Sequence, residues 1–173
     1  MGCRIFERGG VYYASAACTL EEGGPVARRW FEPVDLDELN ALNDRDMISR
    51  LGLVYTAIGD AHLEAEFTID ERTRQPFGLL HGGVSCAVSE SMGSIAANLC
   101  VDRSRYGCVG VELNASHLSG ASAGRVQARC HPLRVGRRMH VWQTDLFDAE
   151  GRQLCVSRLT VAVVTARDGP RSD

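Results

Sequence analysis

The chain has 173 residues, 45% hydrophobic and 24% charged, the make-up of one ordinary soluble domain rather than two. With 22 acidic residues against 19 basic, the net charge is −3, so no positive field gathers a polyanion and a nucleic-acid partner is excluded. No stretch reaches the roughly 18 apolar residues of a membrane helix, and the N-terminus lacks a basic segment leading into an apolar run, so the expectation is a cytoplasmic protein with no membrane partner.

Residues 1–33 carry Gly9-Gly10, Gly23-Gly24, Pro25 and Pro33 without a sustained period, and read as an N-terminal extension prone to disorder. Met1-Gly2-Cys3 does not signal lipidation, because Phe6 stands where the acylation pattern wants Ser or Thr. From Asp35 onward, Leu36, Leu39, Leu42 and Met47 predict one short capped helix with a buried face, ending before Gly52. Two strands follow, Leu53–Ile58 and His62–Ile69, joined at Gly59-Asp60; in the second, Leu63, Ala65, Phe67 and Ile69 alternate with polar residues. Asp70 to Arg74 is a loop, and Pro76 with Gly78 extends the break.

Gly82–Val101 is the strongest helical segment: Val84, Val88, Met92, Ile95 and Leu99 form a stripe, and most other positions are small. So little charge predicts a central helix buried nearly all round. Four strands come after it, Cys108–His117, Gly124–Leu133, Met139–Phe147 and Gln153–Val164, with Pro132 forcing an edge or a bulge. The expected class is α+β, an antiparallel sheet of about six strands wrapped around one long helix, spanning residues 34–165, with 166–173 a loose tail.

The cysteines, Cys3, Cys18, Cys86, Cys100, Cys108, Cys130 and Cys155, are odd in number and lack any C-x-x-C pair, which argues against a disulfide framework and a zinc knuckle. Cys86 falls near the suspected site, but the sequence places no base to activate it.

One residue does not belong in the charge-poor helix. Glu90 has no Lys or Arg between Arg74 and Arg103 to neutralise it. An ordinary helical glutamate meets a distant arginine or reaches the surface; in this helix a catalytic carboxylate is the stronger reading. Ser94 lies one turn on, along the same face. Ahead of the helix, His81-Gly82-Gly83 offers the free N–H groups of a helix N-terminus to an oxygen gaining negative charge, the material of an oxyanion hole. His81 suits fixing this loop or moving a proton, and Gln75 suits an amide donor if its loop folds toward the site. Gly82 and Glu90 are eight residues apart, about 12 Å along one helix, too far to serve one carbonyl group easily. Glu90 is therefore expected to work with the Gly82 of another subunit across a two-fold axis.

The run Gln75 to Ser94, QPFGLLHGGVSCAVSESMGS, followed by Val109 to His117, VGVELNASH, and Pro132 to Arg137, PLRVGR, resembles the hotdog-fold acyl-coenzyme A thioesterases over about residues 35–165. The nearest branch holds the enterobactin-pathway proofreading thioesterase and dihydroxynaphthoyl-coenzyme A hydrolase. The resemblance implies a hotdog fold and a dimer of dimers with sites at subunit interfaces, and no metal or other cofactor. By position it implies that Glu90 is nucleophile or general base, that the Gly82 N–H polarises the thioester carbonyl, that Gln75 and His81 orient the substrate, and that Ser94 assists. Gly83, His117, Arg137 and Arg138 are further candidates for substrate contact, the arginines for coenzyme A phosphates.

Two departures bear on those phosphates: Leu118-Ser119-Gly120 follows the Asn-Ala-x-His run where relatives often carry a cation, and Arg134 stands where many have histidine. The expected activity is hydrolysis of acyl- or aryl-coenzyme A thioesters, with an acyl carrier protein as the other thioester partner. The alternatives are a hydratase or dehydratase on the same fold, and a non-catalytic acyl-coenzyme A sensor. Val84, Met92 and Tyr55 are expected to shape the acyl pocket.

Overall fold

The computed structural model describes residues 5–8, 11–14, 30–42 and 46–166. The remainder of the N-terminal extension and of the tail, with Cys3 and Cys18, lies outside the described residues. Within the extension, β1 (Ile5–Arg8) pairs antiparallel with β2 (Val11–Ala14), a two-stranded sheet that the sequence pattern does not predict.

The single predicted helix near Asp35 is two. α1 (Leu36–Leu42) starts where Asp35 Oδ1 accepts the N–H groups of Asp37 and Glu38 at 2.9 and 3.2 Å. α2 (Met47–Arg50) starts afresh at Asp46, whose carboxylate accepts the Ser49 N–H at 2.9 Å. The second cap resets the phase, so Leu39 and Ile48 face the core while Leu42 and Met47, both 59% exposed, do not.

The main sheet is antiparallel and six-stranded, in the order β3-β4-β6-β7-β8-β5. Its strands are β3 (Val54–Ile58), β4 (Leu63–Ile69), β5 (Tyr106–His117), β6 (Gly124–Val135), β7 (Met139–Asp148) and β8 (Gln153–Thr165). Alternation decides its faces. On β4, Leu63, Ala65, Phe67 and Ile69 are buried, while Glu64 and Glu66 on the other face meet Arg129 and Arg125 of β6. The β6–β7 register slips between Pro132 and Arg134, a bulge at the residue that donates no hydrogen bond.

α3 (Gly82–Leu99) crosses the inner face of this sheet, packing Val88, Met92, Ala96 and Ala97 against β-strand residues such as Trp142, Leu146, Leu159 and Val161. Trp30 closes one side of the core: its ring stacks on Trp142 at 6.2 Å and 8°, and its Nε1–H donates to the Gly59 carbonyl at 2.7 Å. The sheet curling around a single helix is the hotdog arrangement. One chain does not bury α3 all round, however. Val84, Ser85, Val88, Ser89, Met92, Gly93, Ala96 and Ala97 are buried, whereas Cys86, Ala87, Glu90, Ser91 and Ser94 stay half-exposed. Sparse charge signalled a covered helix, but one protomer's sheet reaches only one of its faces.

β5 is an edge strand with an irregularity at its middle. Its pairing with β8 shifts between Gly110 and Glu112, leaving Val111 as an extra residue. Val109 and Val111 are 49% and 61% exposed on this open edge.

Candidate active site

The start of α3 is held by His81. Its backbone is extended, and its Nδ1 accepts the Gly83 N–H at 2.8 Å, the bond of an N-cap residue. An accepting Nδ1 leaves the imidazole proton on Nε2, which is then a donor. The Val84 N–H donates to the His81 carbonyl at 2.9 Å. Among the described residues, no group accepts the N–H of Gly82, while that of Gly83 is committed to His81. The ring of His117, the last residue of β5, lies so close to Gly82 that a Cβ there would stand 2.8 Å from its Nε2. Two imidazoles thus flank the helix start.

The preceding loop is tied down by Gln75 N–H to the Leu79 carbonyl at 2.8 Å and by His81 N–H to the Thr73 carbonyl at 2.8 Å. The Gln75 side-chain oxygen accepts the Phe77 N–H, so this amide folds onto its own loop. Phe77 at the tip is 90% exposed.

Glu90 sits two turns along α3, half-buried. Ser94 Oγ donates to its Oε1 at 3.3 Å, and no cation reaches the carboxylate within ion-pair distance among the described residues. The carboxylate lies against Gly110 of β5: a Cβ at Gly110 would overlap Oε1 and stand 3.1 Å from Cδ. The bulge explains how this face is composed. Seven residues separate Gly110 from His117, so a regular strand would aim them to opposite sides; the extra residue Val111 turns both toward α3.

Asn98, which the sequence reading does not single out, ties helix to strand. Its Nδ2 donates to the Ser94 carbonyl at 2.9 Å and to the Cys108 carbonyl at 3.2 Å, and its Oδ1 accepts the Cys108 N–H at 3.0 Å. The available signal was a lone amide, one turn after Ser94 and two after Glu90, in a helix otherwise small and apolar.

The other predicted residues do not all converge. Gly82 and Glu90 share one uninterrupted helix, so about 12 Å of axis separates them within a protomer. Arg137 and Arg138 are exposed in the turn between β6 and β7, at the sheet end where β5 begins, whereas His117 lies at the other end, opposite Cys155. Val84, Met92 and Tyr55 are buried in the chain's own core, because they take inward positions of the helix and strand periods. A cavity of about 570 Å³ opens at the far end of α3, against Leu39, Leu42, Asn98, Leu99 and Val101, and of the predicted site residues it contains none. Burial pushes the Cys130 thiol up to about 12 and those of Cys108 and Cys155 to about 11, so none of these is a ready thiolate. Cys86, Cys108, Cys130 and Cys155 are free thiols, and no cluster of metal-ligating side chains occurs among the described residues. No described helix is long and apolar enough to cross a membrane.

Comparison with known proteins gives this geometry a setting. The profile of the Thioesterase superfamily matches residues 77–155, from the loop ahead of α3 into β8. The 1,4-dihydroxy-2-naphthoyl-CoA hydrolase of Escherichia coli is 45% identical over 135 residues, covering 78% of this chain and 98% of that protein. The solved structure of a glutamine-to-alanine variant of thioesterase PA1618 from Pseudomonas aeruginosa superposes with a TM-score of 0.78 at 45% identity, over 80% of this chain and 99% of that one. Thioesterase HI1161 from Haemophilus influenzae gives a TM-score of 0.78 at 40% identity, over 83% and 99% of the two chains. With its sheet-wrapped helix and relatives matched along nearly their whole length, the chain belongs to the thioesterase superfamily and is a hotdog-fold thioesterase.

Proposed function

We propose that the chain hydrolyses acyl- or aryl-coenzyme A thioesters to the free acid and the thiol, with Glu90 as the reacting carboxylate. The observation that carries this is the setting of Glu90: an acid without a cationic partner among the described residues, half-buried on a charge-poor helix, with Ser94 as its hydrogen-bond donor. The activity of the Escherichia coli relative supports an aryl-coenzyme A substrate.

In the general-base form, Glu90 takes a proton from water as the oxygen bonds to the thioester carbon. The carbonyl oxygen gains charge and is met by the Gly82 N–H at a helix N-terminus. The tetrahedral species then expels the thiolate, which takes up a proton. In the nucleophilic form the carboxylate adds to the thioester carbon and the adduct expels the thiolate, which takes up a proton; water then cleaves the resulting anhydride to the free acid and the restored carboxylate. Gln75 and the His81 Nε2–H orient the carbonyl, with Ser94 holding Glu90. The bulk of the thioester is left to Gly83, His117, Arg137 and Arg138.

Because one helix separates Gly82 from Glu90, the pair that serves one substrate comes from two protomers. The open edge of β5, with Val109 and Val111 exposed on either side of Gly110, and the half-covered face of α3 support a second copy there. A dimer of dimers in the cytoplasm is the expected assembly, and an acyl carrier protein is the alternative bearer of the thioester.

Glu90→Ala and Glu90→Gln are expected to lower kcat by roughly 10²- to 10⁴-fold on benzoyl- and hexanoyl-coenzyme A. Parental turnover in either variant would overturn the assignment. Sedimentation showing a fully active monomer would overturn the two-protomer site, and binding of these thioesters without release of thiol would mark a sensor.

A further inference from the structure

We propose that Gly110 and Asn98 are positioning residues for the Glu90 carboxylate: Asn98 fastens the edge strand β5 to α3, and Gly110 leaves the niche into which the carboxylate fits. The inference rests on the reading of Glu90 as the reacting acid, and extends it to residues that touch no substrate.

A glutamate on a half-exposed helix face has three torsions to order, and an unheld carboxylate spends little time in an attacking geometry. Ser94 restrains Oε1 from the helix side at 3.3 Å. The opposing wall is β5, and at Gly110 it comes so close that any side chain would occupy the space of Oε1. Ser94 and Gly110 therefore hold the carboxylate from two sides.

Within the chain that wall is bonded to the sheet on one side only, so its distance from α3 depends on what its outward-facing backbone groups bond. Val163, opposite Cys108, spends its N–H on the Arg138 carbonyl of the β6–β7 turn, so the Cys108 backbone groups face away from β8. Asn98 takes both of them, at 3.0 and 3.2 Å, and bonds the Ser94 carbonyl at 2.9 Å with the same amide. Glu90, Ser94, Asn98, Cys108 and Gly110 thus form a closed circuit across α3 and β5. Strand and helix hold their distance at Cys108, two residues from the niche.

The test is a double-mutant cycle on the full-length protein, with kcat and KM measured on whichever of benzoyl- and hexanoyl-coenzyme A the parent turns over faster. Gly110→Ala is expected to lower kcat about 100-fold, the cost of an ångström-scale misplacement, with KM changed by less than about threefold. In the Glu90→Gln background the same substitution is expected to change the residual rate by less than about twofold, since its effect runs through the carboxylate. Asn98→Ala is expected to lower kcat about 10-fold, again only when Glu90 is present, and it serves as the probe should Gly110→Ala fail to fold by circular dichroism. Parental kcat in folded Gly110→Ala and in Asn98→Ala overturns the positioning role while Glu90→Gln remains inactive. Equal losses in both backgrounds overturn it too, by showing a merely structural effect. Parental kcat in Glu90→Gln itself overturns the underlying reading instead.

Discussion

His81 Nδ1 accepts the Gly83 N–H at 2.8 Å, so one imidazole closes the first turn of α3 and keeps its ring proton on Nε2. If Nε2 orients the substrate as proposed, stability and turnover draw on different nitrogens of this ring. His81→Ala is expected to lower stability by about 1 kcal/mol and kcat about 10- to 100-fold. His81→Asn, whose amide oxygen also caps a helix, restores most of the stability and little of the activity. Thermal melts and kinetics on the two variants check this, and recovery of both properties in His81→Asn would refute the division.

Trp30 precedes α1 yet stacks on Trp142 in the sheet and hydrogen-bonds the Gly59 carbonyl, so it staples the segment ahead of the helices to the core. Trp30→Ala is expected to cost about 3 to 5 kcal/mol, and Trp30→Phe, which keeps a ring but loses the bond, about 1 to 2 kcal/mol. Urea unfolding measures both; a loss below about 1 kcal/mol in the alanine variant would contradict the stapling role.

Burial holds the His140 imidazole below its ordinary 6.5, a backbone bond to Gly136 pulling the other way, and burial lowers His131 likewise against the charge of Asp145. The folded chain then binds fewer protons than the unfolded one below pH 6.5, so this part of the stability is complete above that pH and is lost as pH falls through the folded-state values. The parental Tm is expected to drop between pH 7.5 and 5.5, and His140→Gln to show a flatter dependence at a lower overall Tm. An unchanged slope would remove His140 as a contributor.

Thiol reactivity should sort by burial. Cys108, Cys130 and Cys155 are buried with raised pKa values, whereas Cys86 and Cys100 are half-exposed. With Ellman's reagent at pH 8, Cys86→Ser is expected to remove a fast phase, and the three buried thiols to react only on unfolding. Fast labelling of Cys130 in the native protein would contradict the packing.

What the sequence made legible follows from how locally each feature is encoded. The alternation on β4 and the stripe on α3 depend on neighbours a few residues away, and both strands and helix appear where the pattern puts them. Glu90 stood out because its surroundings in the chain are so poor in charge. Gly110 did not, since a glycine in a strand acquires meaning only through what lies across from it, and its partner is 20 residues earlier. The division of the first helix at Asp46 was hidden because Met47 and Ile48 are both apolar, and only the cap decides which faces inward. The sequence reading buries more of α3 than the structure does, because sparse charge reports low polarity on every face whereas the sheet reaches one of them.

The clamp at Cys108 also bears on how the protein avoids uncontrolled association. A bare sheet border invites foreign strands to add at any offset, the first step toward aggregates. By consuming the outward N–H and carbonyl of Cys108, Asn98 removes the starting rung of that ladder and leaves the remainder interrupted at Val111. An incoming strand therefore meets no continuous row of open backbone groups along β5, which disfavours endless stacking.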